Sequence, residues 1–562
     1  MRRAGPKVKA SPVSSGNASP SRPTAAVVAA VALLTVGVLA IAGRALDTPG
    51  LYYDEVIQAL PAAEFLRDDG RPHEIPGARS RRLFGGWFPL MTQPYMGALK
   101  SQLLIPVFAL AGASAESLRL TTLLWSCLGL LLTALWVQRV YGVAAALLCA
   151  VLLAADPSFL FVGRHDWGSV ALALVLRGGG LYLLTLGWQA RSITGLAAGG
   201  LLLGLGLFNK IDHAGFLVGV SLAFAATAPR SVWRELRDQP RRLLAAAGGF
   251  ALGSAPIWIS LPGVLGASQA MLASQSARPD DFGEKLVAWA ALLDGSYFQR
   301  LMLAGGSFER LGEMQAAAGL FGWVFGAAAI FLAVVLARGA ARGELDRASA
   351  FAWLACACVG LALLAIPRAA RIHHVMNVQP LPQLVVALAA LRLWRSGRAG
   401  ARGLAAACVA AALVGCLLVD AATLRTLRES GGRGRWTGAL EELAQELPPG
   451  TPVVSLDWGF HGPLRFLHPE LSLEEPVWEI AAAARGALRL AGTPAHVYLV
   501  WEPDYEVFEW GGALLEAVAA LPPDSASVRT HSDASGEAAF RSIRFARPHE
   551  LVYRGSFEVR LR

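Results

Sequence analysis

Apolar residues along this chain arrive in runs of about 18 to 25 positions, the length a helix needs to cross roughly 30 Å of hydrocarbon. Eleven runs stand near 24–43, 116–138, 141–158, 167–188, 193–211, 213–229, 243–262, 318–337, 349–367, 376–393 and 403–424. They predict an α-helical polytopic membrane protein of about eleven transmembrane helices. Two stretches are interrupted: 167–188 carries Arg177, and 193–229 contains "FNKIDH". From about Gly431 the pattern changes. "WTGALEELAQEL" and "GGALLEAVAALPP" have helical spacing, and "TPVVSLDW" and "AHVYLVWEP" read as buried strands. Helices alternating with strands predict a small α/β domain. Three parts follow: a polar tail over 1–23, a membrane domain over 24–430 with a long first loop at about 44–115, and a water-facing domain over 431–562.

Composition agrees with a membrane reading. The 562 residues are 54% hydrophobic and 16% charged, with mean hydropathy +0.46, whereas soluble domains are about 25% charged. The net charge of +9 does not point to nucleic acid, because arginines cluster in the short loops "VQRVYG", "WQARSI", "PRSVWRELRDQPRR", "ARGAARGELDR" and "RLWRSGRAGARG". By the positive-inside rule these loops are cytoplasmic. The N-terminus is then cytoplasmic, and an odd number of spans puts the last domain outside an inner or plasma membrane. The first run is longer than the apolar core of a signal peptide and reads as an uncleaved helix. All six cysteines lie inside apolar runs without a C-x-x-C pair, as small buried side chains rather than a disulfide framework or metal site.

The exterior face collects the polar clusters, and ionisable groups at a membrane boundary mark function unless paired or hydrated. "LYYDEVIQAL" places Asp54 and Glu55 just after the first span. Asp54 can act as a base toward an acceptor; a helix start favoured by its dipole is the other reading. Lys100, one of five lysines among 50 basic residues, suits a phosphate or a snorkelling role. "FVGRHDWGS" brings Arg164 and Asp166, which either neutralise each other or add Asp166 to an acidic site with Asp54. "FNKIDHAG" supplies Lys210, Asp212 and His213, and "IPRAARIHH" supplies Arg368, Arg371, His373 and His374, an anion site or a basic interfacial rim. A divalent cation has candidate ligands in Asp54 and Asp166. No H-E-x-x-H and no nucleotide loop in a strand–helix context is present, so no nucleotide or redox cofactor is expected.

The order of these segments resembles the GT-C superfamily of polyprenyl-phosphate-sugar-dependent glycosyltransferases, closest to the branch of protein O-mannosyltransferases and the lipid A aminoarabinose transferase. The resemblance rests on "YYDE", "QPYMGALK", "SLRLTTLLWSCLGLL", "PSFLFVGRHDWGS", "GLGLFNK" and "IHHVMNVQPLPQLVVAL". The sequence departs from the family where a double proline becomes "QPYMG" and a histidine–tyrosine becomes "HH". The resemblance implies an inverting sugar transfer from a lipid-linked donor in the bilayer to an exterior protein, lipid or glycan. It implies Asp54 as the base, Glu55 and Asp166 in support, and Lys100, Arg164, Lys210, His213, Arg368, Arg371, His373 and His374 at the lipid phosphate. A flippase using the same charges without transfer chemistry is the alternative.

Overall fold

The computed structural model describes residues 21–67, 78–275, 282–308, 310–366, 371–482 and 488–562. Among them, eight helices are long and apolar enough to cross a membrane: Thr24–Ala42, Ala115–Tyr141, Trp167–Ala190, Pro240–Pro262, Phe321–Ala341, Arg347–Ala365, Ile372–Arg395 and Ala399–Ser430. Two bent pairs, Val143–Ala154 with Pro157–His165 at 63° and His213–Thr227 with Pro229–Asp238 at 93°, raise the number to ten. The remaining run forms Ile193–Asn209, 17 residues. All eleven expected runs are helical, but eight to ten have the length and composition of a span. The breaks have local causes. Asp156 accepts from the amides of Ser158 and Phe159 and Pro157 opens the next helix, so a new helix starts where the old one would continue.

Small residues bring the helices together. Gly200 and Gly204 lie against Ala246 and Phe250, where an added Cβ would meet carbonyl oxygens at 2.1 and 2.2 Å. Gly249 and Gly253 return the contact to Ala197 and Leu201. Such spacing lets two backbones approach without the hydrophobic drive that water supplies.

The first loop is an organised layer. It contains helices Tyr53–Val56 and Leu60–Arg67, a three-stranded antiparallel sheet of Arg79–Leu83, Gly86–Gln93 and Met96–Gly97, and helix Leu99–Ala111. Above it sits the C-terminal α/β domain. Its main sheet runs Ser472–Glu474, Pro452–Ser455, Val497–Trp501, Ala538–Phe545, Ala526–Ser532. The first three strands are parallel and the last two antiparallel. A second, antiparallel sheet joins Phe557–Leu561, His549–Tyr553 and Leu488–Gly492.

The domain docks onto the first loop. Arg67 donates to the carbonyls of Arg465 and Phe466 at 3.0 and 2.6 Å, and Arg465 pairs with Glu64. Phe466 packs on Phe108 at 5.7 Å, Trp458 on Tyr53 at 4.5 Å, and Trp436 stacks on Tyr52 at 5.0 Å.

Candidate active site

Asp54 and Glu55 occupy one turn, and their side chains part. Successive helical residues point about 100° apart. Glu55 is fully buried and takes both forks of Arg119 at 2.6 and 2.9 Å. Arg119 also donates to the carbonyls of Leu46, Pro49 and Gly50 at 2.8, 2.7 and 3.2 Å. Arg164 donates to the carbonyls of Ala45 and Thr48. Two buried arginines therefore pin the backbone just before Asp54. Glu55, expected in support of Asp54, thus holds the loop that carries it, and Arg164, expected at the lipid phosphate, gives its Nη2 to the same loop.

Lys100 and Asp166 meet at 3.0 Å, both fully buried. Lys100 also donates to the Asp166 carbonyl at 3.3 Å, and the Asp166 carboxylate accepts from the Ala171 amide at 2.6 Å. A buried pair of this kind neutralises itself. Asp166, expected beside Asp54, and Lys100, expected at the phosphate, are thus partners of each other in this structure.

Asp54 keeps 19% of its side chain exposed, and Arg371 Nη1 approaches its Oδ2 to 3.9 Å. The Arg371 guanidinium lies over the Phe308 ring at 4.1 Å. Behind them Lys210 Nζ is 3.3 Å from Asp212 Oδ2. His374 Nδ1 is 2.9 Å from the same oxygen, and His373 and His374 join through their Nε2 atoms at 3.1 Å. Gly168 makes room for this set. It has φ +64°, and a Cβ there would lie 2.7 Å from Lys210 Nζ and 3.3 Å from the His373 Cβ. Glycine takes that conformation without steric cost and leaves that space. Asp54, Arg371, Lys210, His373 and His374 are thus brought together. His213 is not: it stacks near Phe216 at 5.4 Å and fills the space beside Gly206. Arg368 lies outside the described residues.

Charge within the set is graded. Burial pushes the Asp54 carboxyl above the usual carboxylate range, against the pull of Arg371, Lys210 and Arg435. Burial lowers Lys210, against the favourable charge of Asp212. For Asp212 burial acts upward, but Lys210 and His374 outweigh it and hold the carboxyl at about 2. A half-open carboxylate with a raised proton affinity, beside cations, can take a proton and face a developing negative charge.

Some members of the site were missed in the sequence. Arg435 acts on Asp54 while bonded to the carbonyls of Tyr505, Gly306 and Glu506 at 2.6, 3.1 and 3.1 Å. Tyr95 and Tyr52 lie within electrostatic reach of Asp54. Arg119 had a signal, an arginine inside an apolar run; Arg435 and Tyr95 had none. Among the described residues no three His, Cys, Asp or Glu side chains gather to hold a metal ion. Arg371 lies beside Asp54 and Lys100 on Asp166, so each of the two expected ligands of a divalent cation already faces a side-chain cation.

Residues 93–259 match the family described as dolichyl-phosphate-mannose-protein mannosyltransferase. No curated protein matches the sequence. Among solved structures, ArnT from Cupriavidus metallidurans bound to undecaprenyl phosphate is similar with TM-score 0.50 and 14% identity, over 92% of this chain and 98% of that one. An oligosaccharyltransferase of Archaeoglobus fulgidus in complex with Zn and sulfate is similar with TM-score 0.45 and 16% identity, over 80% of this chain and 62% of that one. The ArnT likeness shows the fold. The chain's fold is similar to that of ArnT, and its residues 93–259 are similar to the mannosyltransferase family.

Proposed function

We infer that this GT-C chain is a membrane glycosyltransferase that moves a sugar from a polyprenyl-phosphate carrier to an acceptor with inversion. The observation that carries the reading is the half-open Asp54 beside Arg371 and Lys210, under the C-terminal domain. The match to a lipid-phosphate-mannose-dependent family and the undecaprenyl phosphate of the ArnT structure support a lipid-linked donor.

The chemistry follows from the charges. Asp54 takes the proton of the acceptor hydroxyl or amine. That oxygen or nitrogen attacks the anomeric carbon from the face opposite the phosphate. The bond from that carbon to the phosphate oxygen breaks, and a polyprenyl phosphate leaves. Lys210 and Arg371 stabilise the negative charge that gathers on the phosphate, and His373 and His374 line the same side. One displacement inverts the anomeric centre.

Orientation belongs to the same proposal. The arginine-rich loops are cytoplasmic, and with Ile193–Asn209 counted as an eleventh crossing the site and the C-terminal domain face the exterior. A flippase draws no support from the comparisons, and the polar set around Asp54 gathers at helix ends rather than at midspan, where transporters place their sites.

The decisive experiment uses purified protein with a polyprenyl-phosphate sugar. Asp54→Asn is expected to abolish transfer while the protein accumulates in the membrane as before. Full activity in that variant would overturn the assignment of the base.

A further inference from the structure

We propose that the C-terminal domain carries the acceptor subsite, and that its acceptor is a neutral or amine-bearing glycan held by Trp478 and Glu475. The proposal rests on Asp54 as the transfer centre and adds the class of acceptor.

Glu475 connects the two domains. Its Oε2 accepts from the Trp478 indole at 3.3 Å, while its buried Oε1 has no partner among the described residues. Burial first, then the negative charges of Glu475 and Asp54, raise the Tyr53 hydroxyl, so both carboxylates address one phenol. Tyr53 in turn packs on Trp458 at 4.5 Å. Glu475 and Asp54 are therefore both within electrostatic reach of Tyr53, whose ring the domain covers with Trp458.

The rings lie beside it. Trp478 is 42% exposed, and with its nitrogen occupied it presents an apolar face. Phe508 meets it edge-on at 5.9 Å, and Trp510 stacks on Phe508 at 4.6 Å and 13°. Asp457, just beyond strand Pro452–Ser455, accepts from the Val507 amide at 3.1 Å and fixes the segment that carries Phe508. That strand and Val497–Trp501 are parallel, and ligands in α/β sheets bind beyond the carboxyl ends of parallel strands.

Chemistry and charge select the occupant. A sugar ring offers a C–H face to an indole and hydroxyls to a carboxylate. Burial, against the Trp478 hydrogen bond, pushes the Glu475 carboxyl up to about 7, so near neutrality it both donates and accepts, as hydroxyls require. Glu474, Glu479 and Glu509 stand exposed around the rings. The Arg435 guanidinium keeps its charge, but its donors are taken by the carbonyls of Tyr505, Gly306 and Glu506 rather than offered to an acceptor. An anionic acceptor would meet like charge here, whereas the cations Lys210 and Arg371 lie on the helix side of Asp54.

The test is a glycan array printed with neutral, amine-bearing and sialylated or phosphorylated glycans, probed with the purified full chain in detergent. Neutral or amine-bearing glycans are expected to be retained. Trp478→Ala is expected to weaken retention by about tenfold, as loss of a central aromatic anchor does, with Trp478→Phe recovering part and Glu475→Gln weakening it. Thermal melting of each variant confirms that it is folded. Retention of acidic glycans alone, of no glycan, of an unglycosylated peptide in place of glycans, or indifference to Trp478→Ala would each overturn the proposal. Undecaprenyl phosphate binding by the same preparation separates the readings. If the lipid binds and glycans do not, the acceptor proposal fails alone; if neither binds, the donor reading fails with it.

Discussion

Glu55 and Arg119 are both fully buried, and removing one partner of such a pair leaves an uncompensated charge in a medium that solvates it poorly, at about 3–5 kcal/mol. Glu55→Gln is therefore expected to lower the thermal stability of the protein in detergent, measured by melting or aggregation onset. Asp54→Asn is expected to leave stability nearly unchanged and remove transfer. Asp54 also sets a pH dependence. Its carboxyl is raised by burial against Arg371, Lys210 and Arg435, and a base must be deprotonated. The acid limb of kcat/KM is thus expected above the ordinary carboxylate value of about 4. Arg371→Ala removes one lowering charge, so the limb should move to still higher pH. A limb that moves down, or stays, would count against the pairing. Only part of this was legible in the sequence. Asp54 stood out as an acid after a span, and Lys210 and Arg371 as cations in a poorly charged chain. That Glu55 belongs to Arg119 and Lys100 to Asp166 could not be read, because these partners lie 64 and 66 residues apart and periodicity does not say which distant side chains meet.

Among the elements, helix positions were the legible part, since each apolar run must satisfy its own backbone in lipid. Whether a run is one crossing was less legible. Asp156 and Pro157 turn one run into a bent pair, and a cap competes with helix continuation in a way that hydropathy averages hide. The contact of Ile193–Asn209 with Pro240–Pro262 depends on glycine at Gly204, where a Cβ would strike the Phe250 carbonyl. Gly204→Val is expected to cost about 1–3 kcal/mol, as overpacking does, seen as lower yield of folded protein, whereas Gly248→Ala, with nothing within 4 Å, should be silent. The docking of His461–Leu467 on Leu60–Arg67 rests on two hydrogen bonds from Arg67. Arg67→Ala should raise amide exchange in His461–Leu467 before it affects the membrane helices.

At the scale of the molecule, Asp54 lies between the membrane domain's Arg371 and Lys210 and the C-terminal domain's Arg435, with Trp458 of that domain packed on the neighbouring Tyr53. The orientation that places this boundary outside can be measured. Phe84 is 87% exposed in the first loop, and Ser396 is exposed in the arginine-rich segment at the far end. With the six native cysteines within or between apolar helices, Phe84→Cys should react in intact cells with an impermeant maleimide, and Ser396→Cys only after lysis. The reverse pattern would invert the topology. The α/β character of the last domain was legible from its alternating elements, but its part in the site was not, because Arg435 reaches Asp54, and Trp458 and Glu475 reach Tyr53, only through the docked arrangement.

The bond from Arg67 to the Arg465 carbonyl joins positions 398 residues apart. A ribosome adding about 5–20 residues per second leaves the two ends unjoined for roughly 20–80 s. Through that interval the helices can insert and fold, yet the chamber around Asp54 lacks its roof. On the proposed function, a newborn chain is therefore idle by construction, and its first turnover must wait until the last segment has docked on the first loop.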